Sequence, residues 1–110
     1  MAVWWGARVE VHSAIARIHR AGDLTNTEKA EAEECLQSLV DQWQEILPSD
    51  AVREAAKEVL DAYPLRAADS LQLAAALVWC RNRPAGRNFL CADQRLCDAA
   101  TAAGFTVLHP

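Results

Sequence analysis

Three acids in this 110-residue chain stand apart from the others: Glu10, Asp69 and Asp93. Most of the remaining carboxylates fall on polar helix faces. Glu10 instead sits between Val9 and Val11, Asp69 opens a largely apolar segment, and Asp93 follows closely on the apolar run 89–91. In an open α/β sheet, helix starts gather near the carboxyl ends of the strands, and ligand sites form there. Three carboxylates meeting in one crevice repel one another, and a divalent cation relieves the repulsion. Their oxygen donors suit magnesium or manganese. Such an ion activates water and stabilises a phosphate under in-line attack. Each acid also has a plainer role open to it. Asp93 fits a helix N-cap, and Asp69 and Glu10 fit first-turn positions favoured by the helix dipole.

The charge distribution points the same way. The net charge is −4, but residues 23–61 hold eleven acids and three bases, whereas the rest of the chain holds four acids and eight bases, all arginine. These are Arg8, Arg17, Arg20, Arg66, Arg81, Arg83, Arg87 and Arg95. Arginine's planar fork donates two hydrogen bonds to one phosphate, although a solvated arginine surface is the simpler reading. The acids of 23–61 read as the solvated face of helices.

The elements that must position these side chains follow from periodicity and punctuation. Residues 2–5 read as a short apolar strand ending at Gly6. Residues 7–21 read as a helix with Val11, Ala14, Ile15 and Ile18 on one face, stopped by Gly22. Thr25-x-x-Glu28 is a capping box, so a second helix starts there, with Ala32, Leu36, Leu39, Val40 and Trp43 as its apolar stripe. Residues 45–47 form a brief strand closed by Pro48. Ser49 caps a third helix with Val52, Ala55, Val59 and Leu60 inward, and Tyr63-Pro64 breaks it. A fourth helix over about 66–80 is apolar on most sides and so reads as buried. Arg83-Pro84-Ala85-Gly86 is a turn, 88–91 a strand, and Asp93 opens a fifth helix with Leu96, Ala99, Ala100 and Ala103 inward. Gly104 ends that helix before a last strand at 105–108. Strand, helix and strand in this rhythm imply parallel pairing.

The chain is 52% apolar and 24% charged, a balance that lets one domain over 1–110 bury a core without staples. No run of ~18 apolar residues occurs and the N-terminus lacks the build of an export signal, so a cytoplasmic protein away from membranes is expected. Cys35, Cys80, Cys91 and Cys97 form no metal-binding spacing and read as reduced residues, Cys35 and Cys80 as core.

The wording around the three acids resembles the PIN-domain family, specifically VapC-type toxin ribonucleases. Residues 63–77, Tyr-Pro-Leu-Arg-Ala-Ala-Asp-Ser-Leu-Gln-Leu-Ala-Ala-Ala-Leu, resemble the family's "LRAxDALHLATAL" helix, with Gln72 where His is frequent. Residues 89–96, Phe-Leu-Cys-Ala-Asp-Gln-Arg-Leu, resemble "FVTADRRL", with Cys91 in place of Thr or Ser. Residues 8–17 resemble the helix that carries the family's second acid, and the terminal Gly-Phe-Thr-Val-Leu also fits. The resemblance covers essentially the whole chain. It implies an α/β, PIN-like three-layer fold, with a short parallel sheet of about four strands flanked by helices. It implies that Glu10, Asp69 and Asp93 are both catalytic and metal ligands around Mg2+ or Mn2+, that Arg66 contacts substrate phosphate, and that the substrate is RNA. It further implies a cognate antitoxin and a homodimer.

A full family member begins with a strand ending in Asp, roughly "IYLDTSAL", and this sequence has no counterpart to it. The first family strand and one metal ligand are therefore missing. The alternatives are a truncated or misannotated start and a chain completed by a partner, such as a symmetric dimer. Low or absent nuclease activity is expected of the chain as written. A non-catalytic module that binds an antitoxin or pairs with itself is the competing function, with the helices at 7–21 and 25–43 supplying its apolar surface.

Overall fold

A computed structural model describes residues 1–109, with five helices and four short strands. The chain divides into two compact units, Met1–Glu45 and Ile46–Pro110.

The first unit opens with β1 (Ala2–Trp4), continues through α1 (Ala7–Arg20) and α2 (Asn26–Val40), and ends within β2 (Gln44–Ile46). β1 and β2 pair as a two-stranded sheet, and the Gln44 N–H donates to the Met1 carbonyl at 2.8 Å. The turn into α1 depends on Gly6: a Cβ there would lie 2.6 Å from the indole nitrogen of buried Trp4. The Thr25–Glu28 capping box starts α2 as the sequence predicts, with the Glu28 N–H on Thr25 Oγ1 at 3.1 Å and the Thr25 N–H on Glu28 Oε1 at 3.0 Å. α1 packs against α2. Of the predicted α1 stripe only Ile15 is buried, while Val11 and Ile18 remain exposed. No residue of α2 is fully buried, and Leu39 is exposed.

The second unit holds α3 (Asp50–Ala62), α4 (Ala67–Trp79), β3 (Asn88–Leu90), α5 (Gln94–Ala103) and β4 (Thr106–Leu108). Ser49 caps α3, its Oγ accepting from the Val52 N–H at 3.2 Å. β3 and β4 run parallel with Phe89 opposite Val107, and α5 makes the crossover between them. Gly104 ends α5 in the left-handed conformation at φ 111°, which a residue with a Cβ adopts only with strain. The core joins Val59, Leu73, Phe89, Leu96, Ala99, Ala100 and Phe105, with Tyr63 and Leu65 packed against it. Phe89 and Phe105 meet with ring centroids 5.4 Å apart. Leu73 is fully buried, and burying a side chain of that size stabilises by about 1.5–3 kcal/mol. The expectation of a buried fourth helix holds here, because Ser70, Leu73, Ala74 and Ala75 are all enclosed.

Two expectations are corrected. The strands form two separate pairs, β1–β2 and β3–β4, in place of one sheet of about four. Three-residue strands carry little pairing preference of their own, and no described residue supplies the additional central strand that the resemblance calls for. The cysteines also differ from the reading of four reduced residues with Cys35 and Cys80 in the core. Cys35 is exposed, because α2 buries so little. Cys91, just after β3, is paired as a disulfide with Cys97 in α5, their Cα atoms 6.0 Å apart. Cys80 is buried and free as expected.

Candidate metal and phosphate site

The motif at 63–77 is arranged around the start of α4. Pro64 restricts Tyr63 to an extended conformation, which ends α3, and Arg66 follows as the extended N-cap of α4. No side chain caps this helix, so the Arg66 side chain is exposed beside an N-terminus without a side-chain acceptor. Asp69 lies in the first turn and is half-buried. Next to it, Ser70 is buried and turned inward, its hydroxyl donating to the Ala67 carbonyl at 2.7 Å. The helix thus presents Asp69 outward at its rim while its neighbour anchors the turn.

Asp93 comes from a segment distant in sequence, shortly after β3. It is the N-cap of α5, and its Oδ1 accepts from the Leu96 N–H at 3.0 Å. The N-cap expectation is therefore correct for Asp93, and the residue does not exhaust itself in that role. The residue is exposed, and its charge reaches Asp69.

That electrostatic link is visible in Asp69. Partial burial pushes its carboxyl pKa above the ordinary 3.8, the charge of Asp93 raises it further, and the Arg66 guanidinium pulls it back down. A carboxyl raised by burial and by a like charge is one that gains from a cation. The second unit therefore brings Asp69, Asp93 and Arg66 into one neighbourhood. Glu10 belongs to the first unit, where it is half-buried in the first turn of α1 and its N–H donates to the Gly6 carbonyl at 3.2 Å.

Comparison with models of protein families, with curated proteins and with solved structures finds no match for this chain. Its site must be judged on its own side chains.

Among the described residues, no group of three or more His, Cys, Asp or Glu side chains is placed to hold a metal ion. Two interacting carboxylates are a smaller donor set, and they match one common way of binding magnesium. That ion keeps several waters and takes one or two carboxylates together with substrate phosphate oxygens. Asp93 acts on the charge of Asp69, and Arg66 is near enough to Asp69 to act on it as well.

Two further features lie outside the three-acid pattern. In the first unit a groove of about 400 Å³ runs between α1 and α2, with Val9, Leu36 and Val40 in its wall and Arg8, His12 and Glu33 among its polar residues. In the second unit the Arg87 guanidinium lies over the Trp79 ring, 5.2 Å from its centroid. The signal for this pair was present in the arginine excess outside 23–61, but eight scattered arginines did not say which of them would meet an aromatic ring.

Proposed function

We propose that the chain is a PIN-like, metal-dependent endoribonuclease of toxin type that hydrolyses RNA phosphodiesters at the Asp69–Asp93 pair. The observation that carries this reading is the charge of Asp93 acting on half-buried Asp69, two acids that stand 24 positions apart in sequence, each at the start of a helix, within the motifs that resemble that family. Arg66 adds a phosphate partner at the start of α4, where helix N–H groups also favour an anion. A magnesium or manganese ion bound there would supply a nucleophilic water and neutralise charge on the phosphate. Asp69 and Asp93 would hold that ion, Arg66 would orient the phosphate, and the Asp93 cap keeps the start of α5 in place. Glu10 is the third acid of the reading. A cognate antitoxin and a second copy of the chain are the partners that accompany it, and the cytoplasm is its compartment. No helix among the described residues is long and apolar enough to cross a membrane.

The test is RNA cleavage in manganese by the chain and by Asp69→Asn. Asp69→Asn should lose nearly all metal-dependent cleavage. Equal cleavage by both proteins removes Asp69 from the mechanism and ends the proposal.

A second reading has its own support. The groove between α1 and α2 and the exposed Val9, Val11, Ile18 and Leu39 give the first unit an apolar surface suited to a non-catalytic interaction module. Light scattering that shows a stable dimer, with no metal-dependent cleavage, favours this module over the nuclease.

A further inference from the structure

From Ser70 to Ala92 the second unit carries no acidic residue, yet it carries Arg81, Arg83 and Arg87. All three are exposed, and none forms an ion pair among the described residues. The C-terminal dipole of α4 accounts for a cation at the very end of that helix. It does not account for Arg83 and Arg87, which lie beyond the last turn, and Arg87 is drawn onto the Trp79 ring. Trp79 remains 46% exposed with Arg87 in place. A large aromatic side chain so open to water, with Arg87 on its face and two more arginines in the loop that follows, none of them ion-paired among the described residues, suits an anionic partner with flat groups.

The backbone holds this surface in shape. Arg81 and Asn82 both take the left-handed conformation, at φ 55° and 57°, which turns the chain sharply after α4. The turn is fastened by Asn82 N–H to the Leu77 carbonyl at 2.8 Å and Arg83 N–H to the Cys80 carbonyl at 3.1 Å. A second turn is closed by the Arg87 N–H on the Pro84 carbonyl at 2.9 Å. The Arg87 carbonyl in turn accepts from the Thr106 N–H at 2.9 Å, which ties the loop to the β4 end. The patch sits at the end of α4 remote from Asp69 and at the start of β3, whereas Asp93 follows its end.

We infer that Trp79, Arg81, Arg83 and Arg87 form a binding surface for single-stranded RNA, in which Trp79 stacks on a base and the arginines neutralise backbone phosphates. Stacking on an aromatic ring is open to every base, and arginine serves both phosphate and stacking contacts. A strand is favoured over a duplex because a base must be free to meet the ring. The choice of RNA over DNA rests on the hydrolase reading above. The surface lies at the opposite end of α4 from the acids, so it would hold the strand and take no part in chemistry.

The experiment measures binding of a fluorescein-labelled oligouridylate to the full chain by anisotropy, in EDTA, across a salt series. Cleavage in manganese is measured separately, so a failure of the hydrolase reading shows as lost cleavage with binding intact. The wild-type chain is expected to bind. The combined change Arg81→Gln, Arg83→Gln and Arg87→Gln is expected to weaken binding about tenfold or more. It should also reduce the slope of log affinity on log salt by about 2, near 0.7 for each phosphate contact. Trp79→Ala is expected to weaken binding about tenfold with little change in the salt slope. Circular dichroism checks the fold, and Arg83→Gln alone, at an exposed position, gives a slope change of about 0.7 should the triple variant misfold. Wild-type protein that does not bind, or variants that bind as the wild type does, overturn the inference. Equal affinity for oligothymidylate overturns the assignment to RNA.

Discussion

Asp93 has two separable jobs, and its replacement by alanine or asparagine should pull them apart. As N-cap of α5 it accepts the Leu96 N–H at 3.0 Å, and Asn serves this role about as well as Asp while Ala does not. Asp93→Ala should therefore lower stability by about 1 kcal/mol, within a range of about 0.5–2. For a domain of this size that is a fall in Tm of roughly 4–8 °C per kcal/mol. Asp93→Asn keeps the cap and loses only the charge, so its Tm should stay within a few degrees of wild type. Its effect should appear elsewhere. The charge of Asp93 is the second cause of the raised Asp69 pKa, after burial. In Asp93→Asn the Asp69 carboxyl should titrate at lower pH than in the wild type, yet still above 3.8, because burial remains. A carbon-detected NMR titration of the Asp69 carboxyl, beside thermal melts of the three proteins, measures both effects. Should manganese bind at the proposed site, a concentration about a hundred times its Kd would stabilise the folded chain by about 2.7 kcal/mol, and both variants should lose most of that gain. An Asp69 titration unmoved by Asp93→Asn would show that the two carboxylates do not act on each other. Equal losses of Tm in the two variants would refute the capping argument.

Three other consequences are open to measurement. The Asp69 carboxyl binds its proton more tightly in the folded chain than its ordinary 3.8, so its stabilising contribution is complete below that value and is lost as pH rises through the raised folded value. Asp69→Asn should accordingly match the wild type near pH 3 and exceed it at neutral pH in the absence of metal, by less than about 1 kcal/mol for so partly solvated a charge; a wild type that gains on the variant as pH rises contradicts the sign. Gly104→Ala should destabilise by about 1–2 kcal/mol in urea melts, since the new Cβ meets φ 111° and lies 3.0 Å from Pro84 Cγ; an unchanged midpoint removes the strain. Leu73→Ala, which opens a cavity under a side chain with no exposure, should cost about 2–5 kcal/mol in the same assay, and a loss under about 1 kcal/mol would mean that the core around α4 can collapse into the space.

The helices were legible because their signals are local. Thr25 and Glu28, Ser49 and Asp93 satisfy N–H groups three residues away, and Gly104 supplies a left-handed stop, so each boundary is written within a single turn of chain. Apolar spacing likewise placed Val52, Val59, Leu96, Ala99 and Ala100 inward. The β3–β4 pair was expected as parallel from the strand, helix, strand order alone, and it is parallel. The remaining strand pairing was not legible, because three-residue strands meet partners distant in sequence and nothing local distinguishes two ladders from one larger sheet. The same holds for Val11, Ile18 and Leu39, whose spacing marks a face but cannot say whether anything covers it. For the site, residue types marked Asp69 and Asp93 as acids worth watching. Only tertiary structure gave Asp69 its burial and set the field of Asp93 upon it, since electrostatic influence depends on distance through space and on the water excluded between the groups.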